Sequence, residues 1–340
     1  MPEAAAKTPA FKPAEFAKLA RAGTLPANAA LEGKSLAGAD LQGALLAGCE
    51  LAGVDFSNAK LRGANLAGAN LTGARFDQAD LTAADLSHAR CEGAVFNKSQ
   101  LSQAQFNQTG LKRAQFAQAI ASGTMFFSCA MQGADFAGAQ FRGCMFDGPE
   151  LTGAKFSQAS LDACSLRSAV LPKSDFTGCS LENSDFAECN LEAASFKGAS
   201  IKGADFTNAN LKSAVFAESK GRSANFMSAN LSGASFVGAL LPNAIFMEAN
   251  LERANFAGAD LSKTFFSQAN AAMASFLKAN LSFADFSYAR FAQTRFTGAD
   301  LSFASLHATI ESEADFSGAT LKSVKHTDQE LFAAENVKKK

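Results

Sequence analysis

From Ala29 to Ser323 the chain repeats a five-residue unit with no insertion or deletion, a period that neither a helix nor an ordinary strand shares. The unit reads Ala, then Asp or Asn, then Leu or Phe, then two small or polar residues, as in Ala39-Asp40-Leu41-Gln42-Gly43 and Ala69-Asn70-Leu71-Thr72-Gly73. The Leu or Phe, here called the centre, returns at every fifth position from Leu31 to Leu321. Only Cys91, Ala121, Gly221, Ala271 and Glu311 depart from a large apolar residue. Two residues before each centre stands Ala, Cys, Ser or Thr almost throughout, so each unit offers one large and one small inward side chain. An internal repeat of this kind governs the fold before any local propensity does.

This A(D/N)LXX pattern resembles that of the pentapeptide-repeat family. The resemblance implies an all-β fold: a right-handed quadrilateral parallel β-helix with short helical caps, each pentapeptide forming one face and four of them one coil. Residues twenty apart then fall in columns, and the sequence bears the marks of such columns. Phe occupies every twentieth position from Phe56 to Phe316, which a five-residue repeat alone does not require. A second Phe wall runs through Phe106, Phe126, Phe146, Phe186, Phe206, Phe226, Phe246, Phe266 and Phe286, and the remaining two walls are mainly Leu. Each buried Leu or Phe contributes roughly 1.5–3 kcal/mol before chain entropy is subtracted. Nearly fifteen coils at the strand spacing make a rod on the order of 70 Å long.

The register defines one elongated repeat domain over residues 29–323, flanked by segments 1–28 and 324–340. Pro13 to Gly23 reads as a short helix, with Pro in its first turn, Gly past its last, and an apolar face of Phe16, Leu19 and Ala20. It is expected to cover the first coil, whose edge is otherwise unpaired. Thr327 to Asn336 reads as a second helix, with Leu331 and Phe332 placed to seal the last coil and Lys338 to Lys340 as a solvated tail. Gly at the fifth position, as in Gly33, Gly38, Gly43, Gly48 and Gly53, suits a corner with positive φ. Ala121, Gly221 and Ala271 leave a wall short of volume, either filled by a neighbouring residue or marking local irregularity, and Glu311 marks a loosened final turn.

Net charge is −1, from 31 basic and 32 acidic residues, and no basic stripe recurs at twenty-residue spacing. Direct nucleic-acid binding is therefore not expected. The seven cysteines all lie in the repeat. Cys49, Cys129, Cys144, Cys164, Cys179 and Cys189 replace the small inward residue and Cys91 a centre, so they read as apolar fillers kept reduced in a cytoplasm. Cys144 and Cys164 stack one coil apart, where a disulfide is conceivable. Met1 to Ala10 has no secretory pattern, and no apolar run spans a membrane, which points to the cytoplasm unless a dedicated system exports the chain.

Catalytic constellations are missing. His88, His307 and His326 form no common cluster, the glycines follow the corners rather than a phosphate-binding motif, and a filled core leaves no pocket, so no enzyme, metal or cofactor is expected. The column Asn190, Asn210, Asn230, Asn250 and Asn270 reads as an amide ladder. The feature pointing to function is apolar residues at outward positions. Met227, Ile245, Met247, Phe265, Phe283, Tyr288 and Phe303 predict a protein-binding patch, and Met125, Phe127 and Met145 a smaller one.

These features predict a non-catalytic rod-like scaffold or adaptor for protein partners. The resemblance adds an accessory role in a bacterial secretion system, type VI in particular, and a homodimer through the C-terminal end. The alternative the family offers is a DNA-mimicking binder of DNA gyrase or another topoisomerase. That role needs a dense acidic surface, whereas Lys60, Arg75, Arg90, Lys155, Lys220, Arg290 and Arg295 hold outward positions here.

Overall fold

Residues twenty apart pair as parallel bridges along the repeat, from Ser35 with Asp55 onward, so the columns read from sequence are physical stacks. The computed structural model describes residues 10–26, 29–31, 34–147, 150–330 and 332. The chain divides into two units, Met1–Ser165 and Leu166–Lys340.

Backbone hydrogen bonding explains why a five-residue unit closes without regular strands. The Leu41 N–H donates forward to the Lys60 carbonyl at 2.8 Å, the Lys60 N–H donates back to the Ala39 carbonyl at 2.9 Å, and the Gly43 N–H reaches the Arg62 carbonyl at 2.9 Å. Within the unit, the Ala44 N–H turns back to the Leu41 carbonyl at 3.0 Å. Each pentapeptide thus pairs its polar backbone with the coils on either side and with its own turn, as a buried backbone must. Among the described residues, the second residue after each centre takes a left-handed φ, as in Gly43 at 62° and Lys263 at 58°. The Asp or Asn before the centre caps that turn: Asp55 Oδ1 accepts the Ser57 N–H at 2.9 Å, and Asp260 Oδ1 the Ser262 N–H at 3.1 Å.

The core is the centres and the small residues two before them, buried almost without exception up to Leu306. In unit 1 the rings of Phe56 and Phe76 stack at 4.9 Å and 1°, and the same arrangement continues through Phe96, Phe116, Phe136 and Phe156. In unit 2 it runs from Phe176 to Phe196 at 4.9 Å and on to Phe296 with Phe316 at 4.8 Å. The two Phe walls meet edge to face, as Phe226 meets Phe236 at 5.7 Å and 88°. That crossed geometry is the one the ring quadrupoles favour.

The volume-poor centres are filled from the neighbouring coils. Strand β3 (Ile120–Ser122) pairs in parallel with β5 (Gln140–Arg142), which sets Ala121 against Phe141. Strand β7 (Arg290–Ala292) follows Ala271 by one coil and brings Phe291 beneath it. At Gly221 an added Cβ would stand 2.4 Å from Ile201 Cγ1 and 2.8 Å from Leu241 Cδ2, so those neighbours already occupy the space. Glu311 corrects the expectation of a loosened turn. Strand β8 (Ile310–Ser312) keeps its register with β7, pairing Glu311 with Phe291, and the carboxylate is exposed at the last coil, where it accepts the Thr309 hydroxyl at 2.9 Å.

At the other end, helix α1 (Pro13–Ala22) buries Phe16, Ala17 and Ala20, while Leu19, expected on that face, is only half-buried. Gly23 ends the helix at φ 69°, and the Leu45 N–H reaches the Ala20 carbonyl at 2.8 Å to tie it to the first coils. Strand β1 (Ala10–Phe11) pairs in parallel with β2 (Ala30–Leu31). Of the C-terminal helix expected at 327–336, Gln329, Glu330 and Phe332 are helical, and Leu331 and residues 333–340 lie outside the described residues. Leu321 is 44% exposed and Ile310 59%, so among the described residues the last coil stays open.

Candidate protein-binding surface

Outward apolar side chains gather in unit 2 at positions where the repeat ordinarily carries Asp, Asn or a small polar residue. Ile245 pairs with Phe265 across one coil, and Phe265 is 44% exposed beside a half-buried Ile245. The Ser228 N–H donates to the Met247 carbonyl at 2.9 Å, which registers Met227 and Met247 on successive coils of the same face, both half-buried. On the preceding corner, Phe283 and Phe303 stack with centroids 4.8 Å apart and ring planes 10° from parallel. They remain 53% and 41% exposed. Both take left-handed φ values of 60° and 62°, where a bulky side chain is strained.

Tyr288, on the opposite corner of that face, packs edge-on to His307 at 5.5 Å and is half-buried. The His307 ring also approaches Phe332 at 6.3 Å, and its Nδ1 accepts the Asp328 N–H at 3.3 Å. Together these contacts tether the C-terminal segment, joined by the Thr327 hydroxyl accepting the Ala308 N–H at 3.1 Å. His307 and His326 line one hollow of about 420 Å³ with Tyr288, Lys325 and Asp328. Two of the three histidines thus come together, while His88 does not line this hollow. Among the described residues, no three His, Cys, Asp or Glu side chains are placed to hold a metal.

In unit 1, Met125 lies against Met145 in the pairing of β4 (Met125–Phe127) with β6 (Met145–Asp147). Met125 and Phe127 are half-buried and Met145 is exposed. Sequence reasoning missed Leu240, which is 47% exposed, together with the exposed Val237, Met273 and Leu277. Leu240 stands immediately before a centre, where the motif prefers Asp or Asn, and that departure was its legible signal.

The thiols are fillers, as their placement suggests. All seven cysteines are free and buried. Burial pushes the Cys129 and Cys189 thiols up to about 12, each with its sulfur turned to a backbone carbonyl of the preceding wall one coil earlier, Phe106 and Leu166 respectively. Cys144 and Cys164 touch through the Cys144 N–H and the Cys164 sulfur at 3.4 Å. The Asn column forms the ladder expected of it: successive amides from Asn190 to Asn270 bond at 3.1, 3.4, 3.3 and 3.4 Å. No helix among the described residues is long and apolar enough to cross a membrane.

Two family profiles match the chain. One, described as a pentapeptide repeat region, covers residues 169–246. The other, described as pentapeptide repeats (8 copies), covers residues 35–73, 74–111, 111–148, 150–187, 249–282 and 274–322. Among solved structures, the chain is similar to HetL, a pentapeptide repeat protein involved in heterocyst differentiation regulation from the cyanobacterium Nostoc sp. strain PCC 7120. The identity is 24% over 75% of this chain and 86% of that one, with a TM-score of 0.26. It is similar to a trypsin-treated form of QnrB1, a plasmid-mediated fluoroquinolone resistance protein, at 19% identity over 58% of this chain and 96% of that one, with a TM-score of 0.36. A pentapeptide repeat protein of the Arabidopsis thaliana thylakoid lumen is 34% identical over 31% of this chain and 68% of its own, with a TM-score of 0.21. No curated protein matches the chain.

Proposed function

Because the chain belongs to the pentapeptide-repeat family, we propose that it is a right-handed, four-sided β-helical scaffold, without catalytic activity, that binds a protein partner through the apolar surface of unit 2. One observation carries the reading: Phe283 and Phe303 stack on each other at 4.8 Å yet stay largely in water, at strained corners where Gly or Asn would fold more easily. Folding gains little from such a pair, and a partner that covers it gains much. The half-buried Ile245, Met227 and Met247 and the exposed Phe265 lie on the adjoining face.

The open last coil supports a second contact of the same scaffold, a homodimer through the C-terminal end that would cover Leu321 and Ile310. The buried, free thiols fit a reducing cytoplasm. A place beside a bacterial secretion system remains a proposal from the family resemblance alone.

The test is affinity capture from the source cells with native protein and a Met247→Asp, Phe265→Asp variant shown by circular dichroism to be folded, followed by reconstitution of the captured protein from purified parts. A partner that binds the native form and loses the variant supports the reading. Binding of DNA gyrase by both forms alike would overturn it in favour of DNA mimicry.

A further inference from the structure

We propose that the corner formed by Phe283 and Phe303 and bounded by Lys263 and Lys322 is a docking site for an acidic peptide segment that carries an aromatic side chain. This deepens the protein-binding reading and rests on it. The corner residues are held in register by backbone bonds from Lys263 to Ser282 at 2.8 Å, Phe283 to Ser302 at 2.9 Å and Phe303 to Lys322 at 2.8 Å. Those donors and acceptors are taken, so a partner strand cannot add to them, and recognition falls to the side chains.

Of the four ring faces, three are taken. Each phenylalanine covers one face of the other, and the Lys322 ammonium stands 5.8 Å from the Phe303 centroid. Lys263 holds the same corner position one coil before Phe283. What the pair offers outward is its ring edges, which carry the positive end of the aromatic quadrupole. Ring edges accept carboxylate and carbonyl oxygens, or the face of another aromatic ring in crossed geometry. A nucleic-acid base needs a free ring face on which to stack, and of the pair only the outer face of Phe283, on the side of Lys263, is left for one.

Charge favours the same occupant. Along this corner from Lys202 to Ser323 the charged residues are Lys202, Arg222, Lys263 and Lys322, and none is acidic. The neighbouring carboxylates are half-buried and engaged in capping their own turns: Asp260 Oδ1 accepts the Ser262 N–H at 3.1 Å and the Asn280 amide at 3.0 Å, Asp285 Oδ1 accepts the Ser287 N–H at 3.0 Å, and Asp300 Oδ1 accepts the Ser302 N–H at 2.9 Å. Lys263 and the last coil at Lys322 are three coils apart, roughly 14 Å at the strand spacing. An extended segment of about four residues spans that distance, with its apolar side chain over the phenylalanines and a carboxylate towards each lysine.

The experiment is fluorescence anisotropy with the full chain and a labelled peptide in which phenylalanines alternate with pairs of glutamates. Comparison ligands replace the glutamates by lysines, replace the phenylalanines by alanines, or substitute a single-stranded oligothymidylate. Two double variants are measured, Phe283→Asn with Phe303→Asn, which suits the left-handed corner, and Lys263→Glu with Lys322→Glu. The acidic aromatic peptide is expected to bind in preference to all three comparison ligands, more weakly as salt rises, and at least tenfold more weakly to each variant. Equal binding to native and variant chains, or a preference for the lysine peptide or the oligothymidylate, overturns the proposal. If the protein captured through Met247 and Phe265 binds the Phe283, Phe303 variant undiminished, this inference fails and the broader reading stands. If no partner is captured and no peptide binds, both fail.

Discussion

Phe141 faces Ala121 across the β3–β5 pair, and its ring lies 5.9 Å from Phe126, 5.8 Å from Phe136 and 6.2 Å from Phe146. A deficit on one coil is thus filled by an excess on the next, and the wall conserves volume per pair of coils rather than per residue. Phe141→Ala should therefore cost about 3–5 kcal/mol, the usual cost of emptying a buried Phe site. Adding Ala121→Leu to Phe141→Leu should recover most of the loss of the single Phe141→Leu change. Urea unfolding of the singles and the double measures the coupling, and additive effects would show that the two sites do not share a volume.

At Gly221 the opposite imbalance applies, since Ile201 and Leu241 already fill the space. Gly221→Ala is expected to destabilise by about 1–3 kcal/mol through overpacking. Ile201→Ala in the same chain should restore part of that stability, because it removes the Cγ1 that the new methyl would meet. An equilibrium unfolding series on the three variants checks it.

Asp55 gives the acid limb a testable residue. The Ser57 side chain and backbone N–H both bond its carboxylate and hold it below the ordinary 3.8. A depressed folded value means that its contribution is fully present above the unfolded value and disappears as pH falls through the folded one. Stability should therefore decline in strong acid, and Asp55→Asn, which cannot ionise, should be slightly less stable at neutral pH and lack this part of the decline, so that the two chains converge in strong acid. Thermal unfolding of both chains from neutral to strongly acidic buffer tests the sign.

The thiols should be silent in the native state. With Cys129 and Cys189 pushed up to about 12 by burial, almost no thiolate exists at neutral pH, and the sulfurs are shielded from reagents. Labelling with a disulfide reagent is expected to proceed at the rate of unfolding, then reach all seven cysteines in denaturant. Fast labelling of any one in the folded chain would mark an opening that the structure does not contain.

The five-residue register, the two Phe walls and helix α1 were legible because each is a local period or a local cap. So were the outward positions of Ile245, Phe265, Phe283 and Phe303, which follow from the column arithmetic alone. Contacts that depend on three-dimensional compensation were not. Ala121 reads as a gap until Phe141 is seen beneath it, and Glu311 reads as a break until β8 is seen pairing with β7. Leu19 and Ala17 exchange their expected burial because the angle of α1 on the first coils decides which side of the helix is covered. Tyr288 was legible as an outward aromatic, but not as the neighbour of His307, whose place depends on how the C-terminal segment returns.

The twenty-residue bridge spacing also sets which changes of length the gene can accept. Within either unit, loss or gain of twenty residues removes or adds one whole coil and leaves Phe above Phe and Leu above Leu. Loss of a single pentapeptide keeps every inward residue inward but rotates all later walls by a quarter turn, so that aromatic columns end against aliphatic ones. The repeat that evolution sees is therefore the coil, and the motif visible by eye is only its quarter.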